Sequence, residues 1–237
     1  MATLGRGSLW QLQAPLNAYP HPQAQGLATQ VAAGRQLRLL DTVASAGRRA
    51  ARLHGDGYPC WLLEEDLRRH ATAISALTPL PRLDRTGIAA RLPQVLAFTE
   101  AAQARPNRYL WGGTLGPDYD CSGLVQAAYG AAGIWLPRDA YLQERFCRPV
   151  AVQPGDTGLL RPGDLLFFGS VQRCTHVALH LGDGIYRHSS GESHGRNGIG
   201  LDNLNPHNSD PVACHYRRTL RGAGRVMHSH DGRPSPD

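Results

Sequence analysis

A cysteine at the start of a helix and two histidines on one strand face are the residues of this chain whose types and spacing can do chemistry. Cys121 is entered through a Gly- and Asp-rich loop, and beyond it Leu124, Val125, Ala128 and Tyr129 recur at helical spacing until Gly133 stops the pattern. Unpaired backbone N–H groups and the positive end of the helix dipole face a side chain placed there. Both favour a thiolate, so a thiol of ordinary pKa about 8.5 is expected in the range of roughly 3.5–7.5. A buried, inert cysteine is the alternative, and the flanking Asp120 and Ser122-Gly123 are poor core packing for it.

A thiolate needs a base, and residues 175–189 offer one. Apolar residues alternate on either side of Gly182-Asp183-Gly184, which reads as a hairpin with those three residues as its loop. That register sets Ala178 opposite His188 and His176 opposite Ser190. His176, Ala178 and His188 then share one face, while Val177, Leu179, Leu181 and Ile185 turn to the other, toward a core. His176 and His188 become diagonal neighbours, close enough for one imidazole to orient the other. His180, nearer the turn, reads as surface. A single histidine is more often structural; the pair completes a nucleophile, base and orienting group.

The elements that must position these groups fall into two parts. Residues 9–14, 16–19, 36–40, 48–54 and 60–63 read as short strands separated by turn residues, which predicts a small all-β barrel over 1–70. Residues 71–91 lack periodicity and read as a linker stiffened by Pro79 and Pro81. A helix starts at Pro93, with Leu92, Val95, Leu96, Thr99 and Ala102 on one face, and opens an α+β domain over 92–225. Residues 226–237, with His228 and His230 among Gly, Pro and Asp, read as a disordered tail.

Composition narrows the partners. The net charge of +6 comes from scattered arginines without a compact basic block, so an acidic ligand or a solvated surface fits better than nucleic acid. Five cysteines (60, 121, 147, 174 and 214) form no C-x-x-C pair, which suits free thiols in a reducing compartment. No stretch has the roughly 18 apolar residues of a membrane span, and the first residues lack a secretory apolar run. The expectation is a soluble cytoplasmic protein without a membrane partner.

Tyr109, Trp111-Gly112-Gly113, Asp120-Cys121-Ser122-Gly123, Leu136-Pro137-Arg138, Pro162-Gly163-Asp164-Leu165, His176 and His188 together resemble the NlpC family of cell-wall cysteine peptidases, papain-like enzymes with a Cys-His-His triad. Gly130 to Tyr141, His188-Ser189-Ser190-Gly191, Gly195 to Gly200 and Leu220 to Val226 are similar to its γ-D-glutamyl-L-diamino-acid endopeptidases of cyanobacterial type, which carry an N-terminal SH3-like domain. Gly55 to Leu62 resembles a strand of that domain. The resemblance implies that Cys121 attacks the γ-carbonyl of D-glutamate, His176 is the base, His188 orients it, and Tyr109 faces the oxyanion. Asp120, Ser122 and Asp139 would line the pocket for L-Ala-D-Glu, and Ala140 stands where relatives carry a serine. Arg138 would pair with a substrate carboxylate or form a structural ion pair. Tyr58 and the Glu64-Glu65-Asp66 run lie where relatives wall off the substrate amine, making Tyr58, Asp66 and Asp120 candidates for that corner. The implied substrate is a free L-Ala-γ-D-Glu-diaminopimelate peptide released from peptidoglycan, with no metal or cofactor.

Competing readings are a thiol amidase or acyltransferase, a wall-peptide-binding module with an idle cysteine, and a zinc site at Cys174, His176 and His180 that lacks a fourth ligand. The thiol readings make one shared prediction. Cys121→Ala should abolish turnover while leaving the thermal unfolding midpoint near that of the parent, and residual activity in that variant would remove the cysteine mechanism.

Overall fold

Alternation of apolar and polar residues sets the first part of the chain into short antiparallel strands: β1 (Leu9–Leu12), β2 (Leu16–Tyr19), β3 (Thr29–Val31), β4 (Gln36–Leu39), β5 (Arg48–Leu53) and β6 (Pro59–Leu63). The computed structural model describes residues 3–234. The inward residues Trp10, Leu12, Leu16, Val31, Leu37, Leu39, Leu53 and Leu62 form one core. Burial of each large side chain contributes about 1.5–3 kcal/mol. A short helix, α1 (Glu64–His70), closes this unit, with Leu67 in the core and acids leading, bases trailing, as the dipole favours.

The expected boundary at residue 70 moves. Residues 71–74 form β7 (Ala71–Ile74), which pairs with β1 from Leu12↔Ala71 to Leu9↔Ile74, so the barrel sheet runs β3-β2-β6-β5-β4-β1-β7. The far end of the predicted linker also has structure. In α2 (Arg85–Ala89) Asp84 caps the Gly87 N–H at 2.9 Å, and Ile88 is buried in the core of the second unit. Only the stretch between them is extended connection.

The second unit is built from α3 (Leu92–Gln103), α4 (Cys121–Ala131), α5 (Ala140–Phe146), β8 (Arg148–Val150), β9 (Leu165–Gly169), β10 (Cys174–Gly182), β11 (Ile185–Ser190), β12 (Gly198–Asn203), α6 (Pro211–Arg218) and β13 (Leu220–Arg225). Its sheet order is β12-β11-β10-β9-β13-β8. Strands β9 and β10 are covered on both faces, which is why their sequences are nearly all apolar. Val125, Ala128 and Tyr129 of α4 pack with Val177, Leu179 and Phe167 on one face. Val212 and Tyr216 of α6 pack with Phe168, Ala178 and Tyr186 on the other.

The β10–β11 hairpin differs from the expected one at its tip. Leu179 faces Arg187 and His180 faces Tyr186, but the register then shifts so that Gly182 faces Ile185. The loop is therefore two residues, Asp183 and Gly184, both at positive φ (51° and 72°), as a tight hairpin turn of this hand requires. The extra residue, Leu181, is taken up as a bulge. Ile185 consequently points outward, 42% exposed, rather than to the core. His180 is buried, not at the surface: its Nδ1 meets the Arg161 carbonyl at 3.0 Å and its Nε2 accepts from the Gly184 N–H at 3.1 Å. The imidazole holds the turn that sequence reading gave to solvent.

The tail is a second correction. Val226 is buried in the second core, and Ser229 and His230 are buried as well, so residues 226–234 are packed rather than disordered; 235–237 lie outside the described residues. Among the described residues no helix is long and apolar enough to cross a membrane.

Close packing at the start of α4 carries a prediction. A Cβ on Gly123 would overlap the Gly113 carbonyl oxygen, a backbone atom with no rotamer to move. Gly123→Ala should cost at least about 1–3 kcal/mol, seen as a lowered thermal midpoint; a variant as stable as its parent would show that this loop yields.

Candidate active site

The first turn of α4 is fixed before its cysteine is considered. Asp120 caps the helix, accepting at Oδ1 from the Gly123 N–H (2.6 Å) and the Ser122 hydroxyl (3.2 Å) and at Oδ2 from the Gly112 N–H (2.9 Å). Arg138 donates to both carboxylate oxygens, at 3.1 and 2.6 Å. The same guanidinium donates to the Ser122 hydroxyl at 2.9 Å and, across to the barrel, to the Thr29 hydroxyl at 2.9 Å. Both charges are buried, and removing one partner of such a pair costs about 3–5 kcal/mol. Three residues expected to touch substrate are thus otherwise occupied. Arg138 is a structural ion pair, Asp120 has its oxygens filled by protein donors, and Ser122 bridges the two.

Cys121 follows this frame, and its thiol lies against β10. Backbone N–H groups of Val177, next to His176, and of Ser122 point at the sulfur and favour the thiolate. Burial outweighs them and pushes the thiol up to about 12, with the Asp120 carboxylate adding to the rise. This is opposite to the direction expected from the helix start. Two physical terms decide it: the sulfur has lost its water, and the capping carboxylate offsets the positive helix end.

The histidines meet as expected. His176 Nε2 lies 2.8 Å from His188 Nδ1, and His188 Nε2 lies 2.7 Å from Asp202 Oδ2. Protons in this chain can be assigned by following it from the acid. Ionised Asp202 only accepts, so His188 Nε2 carries hydrogen and a neutral His188 accepts at Nδ1. His176 must then donate from Nε2, which leaves a lone pair on its Nδ1. Burial holds His176 well below the ordinary histidine pKa of 6.5, with the neighbouring His188 adding to the fall. Burial also lowers His188, the Asp202 carboxylate working against it. The shifts of Cys121 and His176 both favour the uncharged forms, a thiol and a neutral imidazole.

Asp202, Arg196 and Tyr216 are parts of this arrangement that sequence reading missed. Arg196 donates to Asp202 Oδ2 at 2.7 Å, lying flat across Gly200, where a side chain would overlap it. Tyr216 stacks on the His176 ring at 4.4 Å and 28°, and its hydroxyl meets Ser190 Oγ at 2.7 Å. A signal for Asp202 was present. Gly200 pairs with His188, and an acid two residues along β12 falls on the same face, diagonal to the histidine.

A cleft of about 680 Å³ opens beside Cys121 and is lined by Tyr109, Trp111, Asp139 and, from the barrel, Tyr58 and Leu27. The Tyr109 ring lies against Gly191, and burial followed by the neighbouring Cys121 raises its pKa, so the phenol stays a donor. Tyr58 donates its hydroxyl toward Asp139 Oδ1 at 3.5 Å. Asp139 occupies the N-cap of α5 but caps no N–H, leaving its carboxylate for the cleft. Burial raises its pKa, with Arg138 opposing. Ala140 begins α5 without a hydroxyl.

Asp66 is elsewhere. It lies in the first turn of α1 and lines a groove with Pro15, Asn17 and Tyr19, away from the cleft. The neighbouring acids are turned onto protein partners, Glu64 pairing with Arg49 and Arg68 and Glu65 with Arg69. Cys174 also lines the cleft, its thiol donating to the His176 carbonyl at 3.3 Å. Among the described residues no three His, Cys, Asp or Glu side chains gather in a metal-holding group.

Residues 106–218 match the NlpC/P60 family, and residues 18–67 match the bacterial dipeptidyl-peptidase Sh3 domain. A gamma-D-glutamyl-L-lysine dipeptidyl-peptidase of Bacillus cereus is 44% identical over 87 residues, covering 34% of this chain and 24% of that protein. The Bacillus subtilis protein of the same name is 37% identical over 84 residues, 34% of this chain and 27% of its own length. Dipeptidyl-peptidase 6 of Lysinibacillus sphaericus is 39% identical over 112 residues, 47% of this chain and 35% of its own. The aligned stretches span only about a third or less of these relatives. A crystal structure of an NlpC/P60 family protein from Bacillus cereus superposes with a TM-score of 0.46 at 23% identity, over 94% of this chain and 64% of that one.

The proton assignment can be tested at its far end. An amide in place of Asp202 can donate to His188 Nε2, reversing both tautomers and turning an N–H toward the thiol. Asp202→Asn should lower kcat on the order of 10²–10⁴-fold and change KM little. In the parent, activity should persist as pH falls below 6.5, because a base with a lowered pKa stays unprotonated there. An unchanged kcat in the variant would reduce Asp202 to a packing role.

Proposed function

The chain joins an NlpC/P60 domain to a bacterial dipeptidyl-peptidase Sh3 domain, and from that premise we propose that it is a cysteine endopeptidase of peptidoglycan stem peptides. The bond cut is the one between γ-D-glutamate and the L-diamino acid. The observation that carries this reading is the hydrogen-bonded series Asp202–His188–His176, which leaves a lone pair on His176 Nδ1, next in chain to the Val177 N–H that points at the Cys121 sulfur. A thiol beside such a base is a nucleophile for an amide carbonyl.

In the proposed reaction the proton of Cys121 passes to His176 Nδ1 as sulfur attacks the γ-carbonyl. The oxyanion is met by the Cys121 N–H at the helix start and by the Tyr109 hydroxyl, which its raised pKa keeps as a donor. The imidazolium then protonates the leaving amine of the diamino acid. Water, deprotonated by the same nitrogen, hydrolyses the thioester. Asp202 stays ionised and stabilises the positive charge that spreads over the two imidazoles.

Substrate selection is proposed at the opposite end of the cleft. Asp139 is the cleft acid that caps no helix N–H, and Tyr58 from the barrel donates its hydroxyl toward it. The L-alanine ammonium of a free peptide would pair with Asp139, and an acylated or sugar-linked alanine would leave that carboxylate unpaired in a confined site. Selectivity of this kind suits recycling of released peptides, with diaminopimelate as the diamino acid. Among the described residues the five cysteines are all free, in keeping with a reducing, cytoplasmic setting.

One assay tests the reading. L-Ala-γ-D-Glu-diaminopimelate should be cut to L-Ala-D-Glu and free diaminopimelate at least about 100-fold faster than its N-acetyl form, with products identified by mass spectrometry. Absence of the free diamino acid would remove the endopeptidase reading. Equal rates on the two peptides would remove the amine site and the recycling role while leaving a general wall endopeptidase.

A further inference from the structure

The chain does not leave the molecule after β13. Val226 enters the core of the second unit, and the Ser229 N–H donates to the Leu83 carbonyl at 3.2 Å. Ser229 and His230 then run alongside Trp135: the Trp135 N–H donates to Ser229 Oγ at 2.9 Å, and the His230 N–H donates to the Trp135 carbonyl at 2.9 Å. Next the segment crosses to the barrel. The buried His230 Nδ1 lies 3.1 Å from the Gly55 carbonyl and 3.0 Å from the Gly232 N–H, donating to the first in one tautomer and accepting from the second in the other. The Gly232 and Arg233 carbonyls settle directly over Gly57.

The turn reached in this way is enclosed on every side. The Trp135 ring lies where a side chain at Gly55 would be, and the Arg233 carbonyl lies where one at Gly57 would be. Both glycines are at positive φ, 107° and 67°, and both are required by neighbours far away in the chain. Between them Asp56 is buried, paired with Arg35 at 2.7 Å and accepting from Gln126 of α4 at 2.9 Å. Asp56 Oδ1, the oxygen that faces Arg35, also accepts from the Tyr58 N–H at 3.2 Å. The next link is the Tyr58 hydroxyl, over Asp139 in the cleft. A continuous run of contacts therefore joins residues 229–233 to the one barrel side chain that faces the Asp139 carboxylate.

We propose that residues 226–234 are a specificity-determining strap, which clamps the Gly55–Tyr58 turn against Trp135 and so holds Tyr58 at the amine end of the cleft. The inference rests on the endopeptidase reading above and adds a positioning element to it. None of the strap residues lines the cleft around Cys121. Their effect passes through placement, where a displacement of about 1 Å can cost on the order of 10²-fold.

The test uses the full chain and the ratio of kcat/KM for free over N-acetylated L-Ala-γ-D-Glu-diaminopimelate. A Ser229→Ala, His230→Ala double variant should lower that ratio about tenfold, through a higher KM for the free peptide with kcat retained. In a Tyr58→Phe background the same double variant should add no further loss, because both changes act on one contact. Should the double variant fail to fold, Ser229→Ala alone, which removes only the bond from Trp135, should give a smaller fall of the same kind. An unchanged ratio in a folded variant, or losses that add fully to Tyr58→Phe, would overturn the strap. A parent enzyme that does not prefer the free peptide would instead sink the amine-site reading, before any variant is made.

Discussion

The buried pair between Arg138 and Asp120 is the interaction on which the rest of the site depends. It joins the start of α4, the Gly112 loop, the segment before α5 and, through Thr29, the barrel. A buried ion pair repays its desolvation only when its remaining donors and acceptors are also satisfied. Here Gly112, Gly123, Ser122 and Thr29 supply those partners. The charges nearest the nucleophile are thereby neutralised by the fold itself. What remains open to a ligand is one residue further on, at Asp139.

Dryness governs the chemistry that this frame supports. Burial raises Cys121 and lowers His176, and both shifts favour the uncharged forms over a thiolate–imidazolium pair. Charge would appear only as the reaction proceeds, in surroundings where each oriented donor counts for more than it would in water. Asp202 is the fixed negative charge in line with the imidazoles, itself steadied by Arg196. Tyr216 shields the His176 ring, and its hydroxyl is tied to Ser190, so the base has little freedom to rotate. The site is ordered in advance at the atoms where charge will develop.

The parts of this arrangement that were legible in the sequence are those set by local pattern. Helical spacing after Cys121 places it at a helix start, period-2 alternation around the hairpin is enough to bring His176 and His188 together, and strand alternation marks most of the barrel. What was not legible depends on partners distant in sequence. Ala71–Ile74 is a strand because β1 offers it an edge. Asp66 misses the cleft because three acids begin a helix instead of extending β6. The thiol titrates against expectation because burial is a tertiary property, invisible in a helix start. His228 and His230 sit in a composition that reads as loose, yet Phe146 packs against both rings.

The contact between His230 and the Gly55 carbonyl spans 175 positions of sequence. Closing a loop of that length is entropically expensive and slow relative to hairpins and helix turns. Barrel strands and the α4–β10 layer can form from contacts much closer in sequence. The corner where barrel, Trp135 and strap meet therefore rests on contacts far more non-local than those within either core. Without this closure the Gly55–Tyr58 turn would lose the backbone packed over Gly57. One corner of the molecule thus answers to two stretches of sequence that neither unit's own pattern connects.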